Sequence, residues 1–76
     1  MSSENNLKIC DSREKREEYD LVSTLYHALE SITVYDRYIS DAQKAEDREL
    51  IIFFLELREA SHHTAAKAKK LLKYRI

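Results

Sequence analysis

The chain has 76 residues, of which 43% are hydrophobic and 36% are charged, and its formal net charge is -1. A chain of this length forms one small domain whose own core contributes only a few kcal/mol of net stability. The balanced charge gives no general attraction to nucleic acid or to an anionic membrane, and the absence of glycine excludes the glycine-rich loops that cradle phosphates.

Few sources of additional stability remain. Cys10 is the only cysteine, so no disulfide can form within the chain, and no Cys-x-x-Cys or histidine-rich cluster indicates structural zinc. The N-terminus lacks the apolar segment of a signal peptide, and the longest apolar run, Leu50 to Leu55, is too short to span a bilayer. We therefore expect a cytoplasmic protein without a membrane span, stabilised by forming a homo-oligomer, a dimer or larger.

The first segment of the chain differs in pattern from the rest. Residues 1–12 are polar and aperiodic, which predicts a disordered or frayed segment. A helix can begin at Asp11 or Ser12, because either side chain can cap its first turn. With no glycine or proline in the chain to mark turns, residues 13–76 are predicted to be an all-α domain, with helix one at about 13–44.

Apolar residues recur at helical spacing in both halves of this domain. The predicted core stripe of helix one contains Leu21, Val22, Leu25, Ala28, Leu29, Ile32, Tyr35, Ile39 and Ala42. A break follows at residues 44–47, where Asp47 can cap a second helix at about 48–75 with Glu49 in its first turn. The stripe of helix two contains Leu50, Phe54, Leu57, Ser61, Ala65, Ala68 and Leu72. Because the connection is short, the two helices are predicted to form an antiparallel hairpin.

Each helix also carries residues on a flank away from its main stripe. On helix two this flank contains Ile52, Leu55, Glu59, His62 and Ala66. On helix one it contains Tyr26, Glu30, Thr33 and Val34. We expect both flanks to turn to the same side of the hairpin and to form the dimer surface, because two helices alone cannot cover them.

One constellation on this flank can bind a metal. Glu59 and His62 form a Glu-x-x-His unit, which places a carboxylate and an imidazole one helical turn apart, where both can reach one ion. Counted from a turn near residues 45 and 46, Glu30 lies at about the same axial level. One hairpin would therefore contribute one Glu and one Glu-x-x-His.

This arrangement resembles the di-iron bundles of the ferritin-like superfamily, which use a Glu from each of two helices and a Glu-x-x-His from each of the other two. The resemblance covers roughly residues 19–72 and is closest to two-helix proteins that form a ferritin-like four-helix bundle by dimerisation, such as the encapsulin-associated ferritins. The stretch from Tyr26 to Leu29, with Tyr35, Tyr38 and Asp41, is also similar to small uncharacterised bacterial ferritin-like domains.

The resemblance implies Glu30, Glu59 and His62 as ligands of iron or manganese shared across a dimer. It also implies Tyr26 or Tyr35 as a neighbouring hydrogen-bond donor or redox-active side chain, and His63 with the remaining acids as secondary ligands or an entry path. The implied activity is ferroxidase-like oxidation of ferrous iron. Thr33 stands where a second acid of helix one would be expected, which departs from a full di-metal site.

Two alternatives stay open from the residues themselves. Asp36 falls within the apolar stripe of helix one, and it can either pair with a long cation such as Arg58 on the facing helix or act as a ligand or proton-relay group. At the level of the whole chain, the alternative to a metal protein is a metal-free helical oligomerisation or interaction module without catalytic activity. Such a module would dock another protein through the basic end of helix two.

Overall fold

The computed structural model describes the backbone of residues 6–75 and the side chains of residues 16–75. Two helices make up this part of the chain, α1 at Asn6–Lys44 and α2 at Arg48–Arg75, and its described residues include no strand. The helices pack side by side and antiparallel, so that the Cα atoms extend over 56 × 31 × 14 Å. The prediction of an all-α helical hairpin is confirmed.

The start of α1 differs from the prediction. The helix begins at Asn6 rather than near residue 13, and it continues through Asp11 and Ser12, which were expected to cap it. No glycine or proline separates these residues from the periodic region, so nothing in the local sequence stops the helix earlier. Of the segment 1–12, residues 6–12 thus belong to α1, whereas residues 1–5 lie outside the described part.

The turn between the helices is held by backbone hydrogen bonds and one side chain. Glu46 has a positive φ of 56°, and its N–H donates to the carbonyl of Gln43 while the N–H of Asp47 donates to that of Ala42, both at 3.0 Å. This is a Schellman motif, which satisfies the last carbonyls of α1. Asp47 Oδ1 then accepts a hydrogen bond from the N–H of Leu50 at 3.2 Å, so the predicted cap of α2 is confirmed.

We expect Asp47→Ala to lower the free energy of unfolding by about 1 kcal/mol, because it removes the acceptor that caps α2. Urea denaturation at a fixed protein concentration measures this loss. Asp47→Asn is the matched control, since its side-chain oxygen can still accept the hydrogen bond and its stability should stay close to that of the unchanged chain. Equal losses in both variants would contradict a capping role.

The core of the hairpin is a narrow seam between the two helices. Its buried hydrophobic residues are Ala28, Ile39, Ala42, Ala65, Ala68 and Leu72. All six belong to the predicted stripes, but Val22, Leu29 and Leu50, which the stripes also contain, are 50%, 44% and 43% exposed. They lie at the edges of the seam, because one facing helix covers less of a helix surface than a full apolar stripe occupies.

Candidate functional site

A groove runs between the helices along one side of the hairpin. We call it the central groove; it has a volume of about 400 Å³ and is lined by Thr24, His27, Ala28, Ser31, Tyr35, Leu57, Ala60, Ser61 and Thr64. The lining contains no Asp, Glu, Lys or Arg, and most of its side chains are small. We refer to this side of the hairpin as the groove side.

Bulky aromatic residues lie on the groove side nearer the turn. The ring of Tyr38 lies 6.1 Å from that of Tyr35 and 5.3 Å from that of Phe54, and the rings of Phe53 and Phe54 are 5.5 Å apart. These four residues form the aromatic cluster. Tyr38 is 40% exposed and Phe53 is 50% exposed, and Leu50 lines a pocket of about 320 Å³ beside them. The cluster therefore presents a large apolar surface to solvent.

The opposite side of the hairpin carries an ion pair between the helices. Arg58 Nη1 donates a hydrogen bond to Asp36 Oδ1 at 2.5 Å, which confirms the predicted pairing of these two residues. Asp36 is 53% exposed rather than enclosed in the apolar stripe. A helix turns by about 100° per residue, so Asp36 lies across the seam from the groove residues Ser31 and Tyr35. We call this the ion-pair side.

Glu30, the first predicted metal ligand, lies at the outer edge of the groove side. It lines a pocket of about 230 Å³ together with Ser31, Val34 and Tyr35. Its carboxylate Oε1 lies 3.9 Å from Nδ1 of His27, and both side chains are largely exposed. A solvated pair of this kind contributes little to stability, and the carboxylate is open to a further ligand.

Glu59 and His62, the other two predicted ligands, lie elsewhere. Both are exposed, and His62 follows Arg58 by four residues, which places it on the ion-pair side. Glu59 follows Arg58 directly and is therefore turned toward the outer surface of α2, away from α1. Within the described residues, no group of three or more His, Cys, Asp or Glu side chains lies close enough to hold one ion.

The expectation that both flanks share one side of the hairpin is therefore wrong. The predicted levels of the residues along the helices agree with the structure. Tyr38 packs against Phe54 and Glu17 lies 3.9 Å from Arg75, and counting along both helices from these contacts puts Glu30 level with His62. The predicted side of the hairpin is wrong, because Glu30 and His62 lie on opposite sides of the seam. A metal site that used Glu30, Glu59 and His62 would have to form between copies of the chain.

The predicted accessory residues are also dispersed. Tyr26 is 61% exposed and its ring lies edge-on to that of His27 at 5.6 Å. Tyr35 lines the central groove and belongs to the aromatic cluster. His63 is exposed on α2, and Asp36 is engaged by Arg58.

The central groove and the exposed part of the aromatic cluster were not predicted from the sequence. The apolar pattern had indicated a dimer surface on the flank containing Ile52 and Leu55, and no role for Phe53. A second apolar series was present in the sequence, since Leu50, Phe53 and Leu57 follow at intervals of three and four residues. This spacing could have indicated an apolar surface on the groove side.

Comparison with known proteins adds no family to these observations: no family model, no curated protein and no solved structure matches the chain. The ferritin-like resemblance therefore stays a prediction. In the described part of the chain, neither helix combines the length and the apolar character that crossing a membrane requires.

Proposed function

We propose that the chain is a helical oligomerisation module in which a second copy covers the apolar surface of the hairpin and completes a four-helix bundle. The observation that carries this proposal is the number of large apolar side chains that the two helices leave exposed to solvent. A self-sufficient domain buries most side chains of this kind in its own core.

A standard dimer interface buries about 800 Å² on each partner, and one hairpin leaves many large apolar side chains uncovered. The residues available to fill such an interface are large and apolar, and each is at least 38% exposed. They are Tyr19, Val22, Tyr26, Leu29, Tyr38, Leu50, Ile52, Phe53, Leu55 and Tyr74. Three of them, Tyr38, Leu50 and Phe53, adjoin one another around the aromatic cluster, and a contiguous exposed apolar patch marks an interaction site.

The seam within one hairpin also supports coupled folding and association. None of the described side chains is less than 2% exposed, and four of the six buried hydrophobic residues are alanines. A core of this size leaves little stability after the entropy of ordering two long helices. Association with a second copy would add stability that depends on protein concentration.

Binding of iron or manganese between copies, with ferroxidase-like oxidation as its consequence, stays a separate prediction. Oligomerisation is the better supported function, because it needs only surface that the hairpin presents, whereas the metal site needs Glu30 to meet Glu59 and His62 of other copies. Titration of metal-free protein with ferrous iron tests the metal site, and Glu59→Ala should abolish any stoichiometric binding that this site provides.

The proposed function predicts a concentration-dependent oligomer. Sedimentation should give the mass of a dimer or a larger assembly, and the melting temperature should rise with concentration over about a hundredfold range. A metal chelator should change neither quantity. A monomer whose melting temperature does not change with concentration would overturn the proposal. Dissociation of the oligomer by a chelator would show instead that its assembly depends on a bound metal.

A further inference from the structure

We infer that the second copy packs on the groove side, antiparallel to the first, so that the aromatic cluster of each copy fills the central groove of the other. This inference rests on the proposed oligomerisation and adds to it the face, the orientation and the contacting residues. The alternative face is the ion-pair side, which on α2 continues through His62 and Ala66 onto the outer flank that contains Ile52.

Charge distinguishes the middle of the two sides of the hairpin, whereas Glu30 and Asp41 line pockets at the rim of the groove side. The core of a protein interface is depleted of charged residues and enriched in aromatic ones. The lining of the central groove contains no Asp, Glu, Lys or Arg, and the aromatic cluster continues it toward the turn. The middle of the ion-pair side holds Asp36 and Arg58, whose side chains are 53% and 36% exposed. Covering that pair would require removing both charged groups from water.

Shape determines the orientation. Bulky rings occupy the groove side near the turn, around Tyr38 and Phe54, and small side chains occupy it farther away, around Ser31 and Ser61. The two regions are about seven residues, or roughly 10 Å, apart along the helices. In a parallel dimer the rings of one copy would meet the rings of the other, and the two grooves would face each other unfilled. In an antiparallel dimer the aromatic rings of each copy pack into the central groove of the other copy.

This geometry fixes the position of the twofold axis. The point midway between the rings and the groove centre is at the level of Tyr35 and Leu57, both of which line the groove. Leu57 would then contact Leu57 of the second copy, and Phe53 would lie over Ala60 and Thr64 of the second copy. All neighbouring helices in the resulting bundle are antiparallel, and the contact is the same on both copies, as a closed dimer requires.

Two matched alanines on α2 test the face. Ala60 lines the central groove, Ala66 belongs to the outer flank, and both are exposed in the hairpin. Arginine is a good helix former, so Ala60→Arg and Ala66→Arg should both keep the helical circular dichroism of the hairpin. We expect Ala60→Arg to raise the dimer dissociation constant at least about tenfold, because it places a charge in the interface, whereas Ala66→Arg should leave it unchanged.

Every other outcome of this comparison overturns the inferred face. If Ala66→Arg alone dissociates the oligomer, the interface is the ion-pair side together with the adjoining outer flank of α2. If neither variant dissociates the oligomer, or if both variants do, the groove side is not distinguished as the contact face. In each of these cases the unchanged chain still forms an oligomer, so the proposed function survives. A monomeric unchanged chain would instead remove the proposed function and the inference together.

Disulfide formation tests the orientation. In a background with Cys10→Ser, which removes the only native cysteine, Phe53→Cys and Thr64→Cys are prepared separately, mixed in equal amounts and oxidised in air. Antiparallel packing predicts that the mixed disulfide dominates over the two homodimeric ones. A mixed product at or below its statistical share of about one half would overturn the antiparallel arrangement.

Discussion

Phe53→Asp is expected to raise the dissociation constant of the oligomer at least about a hundredfold. Phe53 is 50% exposed in the isolated hairpin, so its replacement removes little from the fold of one chain. In the inferred dimer the ring enters the groove of the second copy, where burial of a Phe contributes about 1.5–3 kcal/mol. An aspartate there would also leave a desolvated charge without a partner, and each 1.4 kcal/mol corresponds to about a factor of ten. Sedimentation over a range of concentrations measures the change.

The neighbouring residue provides a matched control for this substitution. Ile52 is 51% exposed, the same as Phe53 within one percentage point, but it is turned by about 100° onto the outer flank of α2. Ile52→Asp introduces the same side chain into the same helical turn and should leave the oligomer intact. If Ile52→Asp dissociates the oligomer and Phe53→Asp does not, the contact lies on the flank that the sequence analysis favoured.

The fold of the hairpin follows from local rules that act within a few residues. Helical periodicity identified both helices, and the chemistry of Asp47 identified the start of α2. The start of α1 could not be located in this way, because Asp11 and Ser12 offer a cap without any residue that stops the helix before them. Caps indicate where a helix can begin, whereas only a breaking residue requires it to begin there.

Burial was harder to predict than secondary structure. An apolar stripe indicates which residues avoid water in the finished assembly, and Val22 and Leu29 belong to such a stripe although the second helix does not cover them. Their exposure shows that the apolar stripe of α1 is wider than the surface that one facing helix covers. The same reasoning explains why the stripe of α2 contains Leu50, which lies beside the aromatic cluster and remains 43% exposed.

The candidate site shows a limit of reasoning from axial level alone. Counting residues from the turn put Glu30 level with His62, as the packing of Tyr38 on Phe54 supports. The side of the seam depends on rotation, and an error of one residue in the position of the seam changes this rotation by about 100°. Pairing Asp36 with Arg58 was predictable, because the long side chain of Arg58 can reach a carboxylate on the facing helix from several rotations.

Ala65→Leu is expected to lower the free energy of unfolding by about 1–3 kcal/mol, because it inserts three additional carbon atoms into the buried seam between the helices. Ala65 and Ala42 are each only 4% exposed. In a domain of this size such a loss lowers the melting temperature by at least about 4 °C, which differential scanning calorimetry at fixed concentration measures. Ala66→Leu, at the exposed neighbouring position, should stay within about 0.5 kcal/mol of the unchanged chain. Equal stability of the two variants would mean that α1 and α2 of one chain do not pack closely around position 65 in solution.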